Sequence, residues 1–304
     1  MFPLRSMTGA MGSFWIRGQR TERVAYVVGA LLIVSGLVQL AILVITGASW
    51  AGPLSLRKPI TFGLSFGLTL ISVAWVTSFL RLSARARSVL LVTFTMACVL
   101  ETALITLQAW RGVPSHFNVE TAFDAFVARL LAAGGFVLVA IILMLTRAAF
   151  RTNPGVPVSM RIAIQIGFVA LVAAVLMGAL MIAKGMMLVF AGNPQAAYAT
   201  GGSLKPTHAV TMHAILLFPL LAWLLSFANW SEQRRLGVVL VAAGGYVVLA
   251  GVVALANLAG LEPWRVPLSA VVVLSLGALS LIVVASYVLT AVAHAPTARG
   301  LEHP

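Results

Sequence analysis

An all-α fold, a polytopic integral membrane bundle of about eight transmembrane helices with both termini cytoplasmic, is what this sequence predicts, and three observations predict it. Of 304 residues, 61% are hydrophobic and only 9% charged, against roughly 25% charged in soluble domains; the mean hydropathy is +1.05. The apolar residues fall in blocks of about 20 or more, the length that crosses a bilayer. Lys and Arg alternate between rich and poor loops along the chain.

Eight spans follow in order: 24–48, 59–80, 88–110, 121–148, 160–191, 207–229, 236–259 and 267–293. Arg23 precedes the first, and Trp50, Gly52 and Pro53 follow it. Arg81, Arg85 and Arg87 separate the second from the third. Between the fourth and fifth, Arg151 to Pro157 carries Pro and Gly, which punctuate helices. Gly192, Asn193 and Pro194 end the fifth, and Glu262 and Pro263 separate the last two. Residues 1–23 lack the apolar run of a cleavable signal. They read as a mobile cytoplasmic tail, 24–293 as one transmembrane domain and 294–304 as a cytoplasmic C-terminal tail.

The formal charge is +13, yet no basic soluble domain exists to engage nucleic acid. Thirteen of the 20 Lys and Arg fall on the side of the termini and five on the other. The positive-inside rule therefore places the termini in the cytoplasm, with a bacterial inner membrane as the expected location. Trp15 and Trp230 on the inner side, and Trp50, Trp110 and Trp264 on the outer, fit interfacial belts. The sole cysteine, Cys98, excludes a disulfide framework and a Cys-based zinc site.

Ionisable groups in hydrocarbon are costly, and each is a functional candidate. Glu101 lies in span three, Lys184 in span five and His213 in span six. A rise of 1.5 Å per residue puts them about 13–15, 9–10 and 8–10 Å below the outer ends of their spans. All three fall in the outer half. Glu101 and Gln108 are seven apart and share a helix face, below a loop with Arg111, Ser115, His116 and Asn118. Thr121 and Asp124 fit the cap of span four, with Arg129 a partner for Asp124 or Glu120. His208 and His213 lie about 140° apart on a regular helix, so they do not chelate one metal easily.

Two functional classes lead. One is a ligand or catalytic site open to the outer face. There Glu101 or His213 is the acid/base and Lys184 holds an anion or tunes Glu101. Gln108, Arg111, His116, Asn118 and Asp124 line the ligand's entrance. A cofactor version uses His116, His208 and His213 as ligands to haem or a transition metal. The other class is a carrier or facilitator of a small amphipathic or anionic solute; an accessory subunit of a membrane complex is the third reading. Each ionisable group also has a structural role open to it: a Glu101–Lys184 ion pair, histidines bonded between helices, and the Met177, Met181, Met186, Met187 and Met212 cluster as core filler rather than a Cu(I) site. Gly63 and Gly67 read as helix-packing contacts. Ala132–Ala140 echoes Ala242–Ala250 at an offset of 110 residues, which would relate the spans as an inverted repeat. Nine residues of such composition match easily by chance, so no repeat is expected.

Overall fold

The computed structural model describes residues 4–50, 52, 54–199, 204–261 and 265–294; Pro53, Glu262, Pro263, Trp264 and the C-terminal tail beyond residue 294 lie outside them. Among the described residues all regular structure is helical, and eight helices are long and apolar enough to cross a membrane. The spanning helices are α2 (Arg20–Thr46), α3 (Arg57–Thr77), α4 (Ala84–Trp110), α5 (Ala122–Ala149), α6 (Val158–Phe190), α8 (Lys205–Leu225), α9 (Glu232–Leu258) and α10 (Leu268–Ala293). This is an integral membrane protein. The end of the bundle richer in Lys and Arg is called inner below.

Two short helices complete the chain, α1 (Leu4–Arg17) and α7 (Pro194–Ala199). The expected mobile N-terminal tail is therefore in part a helix. Met7, Ala10 and Phe14 turn towards the core, and the Phe14 ring meets Trp75 at 5.9 Å and Phe79 at 6.0 Å. Met11, Trp15 and Ile16 stay exposed, as on a helix lying in a membrane interface.

The bundle is built twice. Helices α3 and α8 each have 21 residues, and α4 and α9 each have 27. Both pairs start 148 positions apart. In the first half α2 packs on α3, α3 on α4, α4 on α5 and α2 on α4; in the second, α6 packs on α8, α8 on α9, α9 on α10 and α6 on α9. Local chemistry repeats at the same spacing. Ser83 and Ser231 cap α4 and α9 by accepting from the amides of Ala86 and Arg234. Arg87 donates to the Leu80 carbonyl and Arg235 to that of Ala228. Ser78 and Ser226 close α3 and α8, each donating to a Trp carbonyl at 2.6 Å. Gly112 and Gly260 follow α4 and α9 with φ of 68° and 71°, the left-handed turn that favours glycine. Four spans per half is an even number, so both halves run in the same direction. The repeat is thus parallel, and the echo at an offset of 110 residues plays no part in it.

Glycines set the tightest contact of the first half. A Cβ on Gly63 would come within 2.8 Å of the Gly36 amide nitrogen, and one on Gly67 within 2.6 Å of the Gly29 carbonyl. Such small faces let membrane helices approach closely where lipid provides no hydrophobic drive. The halves meet through α5 against α6 and α3 against α8. At the inner end of the latter contact the equivalent Trp75 and Trp223 rings pack edge to face, 6.3 Å apart at 87°.

Candidate functional site

One set of polar residues in the outer half belongs to the first repeat alone. Glu101, Gln108 and Arg111 of α4 and its cap correspond to Leu249, Ala256 and Ala259 in the second half. A role shared by both halves is scaffold; these three positions have another cause.

Glu101 is 4% exposed, and its Oε1 has no hydrogen-bond partner. It fills the notch left by Gly134 of α5, where an added Cβ would lie 2.5 Å from that oxygen. Lys184 does not reach it. Lys184 is exposed on α6, and among the described residues no ion pair joins the two.

Two turns outward, a knot of hydrogen bonds ties α4 to α5. Gln108, fully buried, donates from Nε2 to Asp124 Oδ1 at 2.9 Å. Arg111 donates to both Gln108 Oε1 and Asp124 Oδ1, and its guanidinium stacks 4.8 Å from the Phe123 ring centre. Thr121 is the N-cap of α5: its Oγ1 accepts from the Asp124 amide and donates to Asp124 Oδ2. Arg111, not Arg129, thus partners Asp124, because the loop folds back over the helix start while Arg129 is exposed.

The loop between α4 and α5 is pinned at its middle. Phe117 has φ of 66°, costly for a bulky residue, and its ring occupies the space left by the missing side chain of Gly185. Asn118 is fully buried; its Oδ1 accepts from the Glu120 amide and its Nδ2 has no partner. Ser115 Oγ lies 3.4 Å from Lys58 Nζ and 3.0 Å from His116 Nδ1. The Ser115 hydroxyl can donate to Nδ1, which places the imidazole N–H on Nε2, or accept from it, which places that N–H on Nδ1. Burial, aided by the Lys58 charge, pushes the His116 pKa down to about 3, and the ring is neutral at physiological pH.

The histidines do not gather. His208 and His213 each engage a backbone carbonyl through Nδ1, of Ala174 at 2.7 Å and Ala209 at 2.6 Å, while His116 belongs to the loop. Among the described residues no three His, Cys, Asp or Glu side chains are grouped as a metal site.

Sequence reasoning missed Lys58, Lys205, Trp75 and Trp223 as site residues. Lys58-Pro59 and Lys205-Pro206 open α3 and α8 at the outer end, and Trp75 and Trp223 close them at the inner end. Thr61, Ser65 and Ser72 follow Lys58 at steps of three, four and seven residues and share a face with Trp75. The paired Ala-Trp-x-x-Ser-Phe segments, 148 residues apart, carried the signal. No protein family, curated protein or solved structure matches this chain.

Proposed function

We propose that this protein is a carrier or facilitator of a small solute. Two like-oriented four-helix halves move about their α3–α8 contact, and the solute enters from the outer end. The observation that carries the reading is the parallel repeat. Halves related by an axis along the membrane normal recur in secondary transporters, where rocking of one half against the other gives alternating access. The equivalent tryptophans at the inner end and the equivalent cations Arg57 and Lys205 at the outer end fit a path that is shut inside and open outside. Glu101, an unpartnered carboxylate in one half, is the group to respond to solute or coupled proton. Gln108, Arg111, Asp124, His116 and Asn118 hold the loop over the outer mouth. His208, His213 and Lys184 flank the path on the second half. Haem or metal chemistry has less behind it, since the histidines are spread over two elements. The inner membrane of a bacterium, with cytoplasmic termini, remains the location proposed.

Two-sided labelling tests this without knowledge of the solute. Cys98 is the only cysteine, so Cys98→Ala gives a background for single reporters. Ser72→Cys in vesicles should react with a membrane-impermeant maleimide from either side, slowly from within. Labelling from the outer side alone would support a fixed outer site instead, and no labelling from either side would contradict a carrier.

A further inference from the structure

We infer that the outer mouth between the halves is a binding site for a small oxyanion, held by Lys58, Lys205 and Arg57 with the Nε2–H of His116. This deepens the carrier reading by naming the class of solute, and it rests on that reading only for the claim that the anion is cargo.

The argument starts from uncompensated charge. Among the described residues Lys58 Nζ has one hydrogen-bond partner, the neutral Ser115 hydroxyl at 3.4 Å. The charges of Lys205 and Arg57 both act on Lys58, so three cations share one small region. Among the described residues none of the three lies within 4.0 Å of a carboxylate. The nearby Asp124 is engaged elsewhere, bound by Arg111. Lys58 and Lys205 are only half-exposed, so water screens them incompletely. Like charges at short range in a poorly solvated place repel strongly. An anion between its members relieves that repulsion.

Geometry adds direction. Lys58 and Lys205 stand in the first turns of α3 and α8, where the positive end of each helix dipole favours an anion. With its Nδ1 accepting from the Ser115 hydroxyl, neutral His116 would offer Nε2–H as a donor rather than a fourth charge. Its ring is fixed between Phe62 at 6.3 Å and Phe117 at 6.1 Å. The buried, unpartnered Nδ2 of Asn118 lies two residues further along the same loop. Donors alone, with no acceptor among them, select an oxyanion. A phosphate, a carboxylate or a phospholipid headgroup shares that chemistry.

The test uses the full chain purified in mild detergent, with thermal unfolding and calorimetric titration. The probes are inorganic phosphate, propionate, and short-chain phosphatidylglycerol, with short-chain phosphatidylcholine as control. Saturable binding of at least one anionic probe is expected, weakened about tenfold or more by Lys58→Gln and by Lys205→Gln and unchanged by Arg151→Gln in the exposed loop at the inner end. A response to phosphate or propionate identifies a free solute, and a response to phosphatidylglycerol alone identifies a headgroup. Without any anion, Lys58→Gln should unfold at a temperature equal to or above that of the parent, because it relieves repulsion. No binding by any probe, or binding indifferent to both Lys substitutions, overturns the site. Either result leaves the labelling of Ser72→Cys unaffected, so the carrier reading stands or falls separately.

Discussion

Replacing Trp75 and Trp223 by Leu, singly and together, probes the ring contact between α3 and α8 on which the proposed closure rests. Each change removes roughly 60 Å³ of ring, which at about 24 cal/mol per Å³ of cavity costs about 1.5 kcal/mol. Trp75 also packs edge to face on Phe14 and on Phe79 at 5.9 and 5.8 Å, so its loss should cost more, about 2–3 kcal/mol on the scale of such aromatic pairs. Trp223 keeps one further ring partner, Phe227 at 4.9 Å, and stays near the lower figure. Because the two rings touch, the double variant should lose less than the sum, by about 0.5–1.5 kcal/mol. Unfolding in mixed micelles of dodecyl maltoside and dodecyl sulfate measures all four proteins on one scale. Additivity within about 0.3 kcal/mol would mean that the rings do not hold the halves together, and the closure argument would fail. In the same variants the inner-side reaction of Ser72→Cys should accelerate severalfold.

Three further outcomes follow from the site. Asp124→Ala strips the acceptor from the buried Gln108 and from Arg111. It should cost about 3 kcal/mol and raise hydrogen exchange across 112–118; a loss under about 1 kcal/mol would refute the knot as the loop's anchor. His116 takes up a proton only near pH 3 when folded, against an ordinary 6.5. Its contribution to stability is thus complete above pH 6.5 and falls as the pH drops towards 3. Between pH 7 and 5 the loss should be about 1–2 kcal/mol, and His116→Gln should flatten it; an identical slope in that variant would contradict the assignment. Gly67→Leu drives a side chain against the Gly29 carbonyl and Ile33, backbone that cannot yield. It should destabilise by about 3 kcal/mol, whereas Gly135→Leu, with open space at its Cβ, should unfold like the parent.

The spans were readable because a membrane imposes length and apolarity, and these survive in a single sequence. Helix starts were less so. Predicted spans begin at residues 24, 88 and 236, whereas α2, α4 and α9 begin at Arg20, Ala84 and Glu232. Their first turns are polar and capped: Ser83 and Ser231 accept amides, and Glu22 accepts the Gln19 amide while pairing with Arg87. Hydropathy finds the part of a helix that faces lipid and misses the part that faces water. The amphipathic α1 escaped for the same reason. The repeat escaped because similarity was sought in Ala, Gly and Val, which this composition scatters everywhere. Its imprint is in residues at helix ends, where geometry admits few substitutes: the Trp, Ser and Arg that close α3 and α8 and open α4 and α9. The depth of Glu101 was legible, but its neighbour was not. Sequence offered Lys184 as its counter-charge, and the bundle supplies Gly134 instead, because α4 packs on α5 and turns Glu101 away from the exposed flank of α6.

The central claim is that the halves move against each other, and the distance between their outer ends tests it most directly. Thr61 and Ala209 are equivalent exposed positions, 148 residues apart, one turn below Lys58 and Lys205. Spin labels on Thr61→Cys and Ala209→Cys in the Cys98→Ala background, read by pulsed dipolar spectroscopy in liposomes, should give two distance populations. The shorter should grow when Trp75→Leu and Trp223→Leu loosen the inner end. A single narrow distribution, unmoved by those substitutions, would contradict the account and leave a rigid bundle with a fixed outer site.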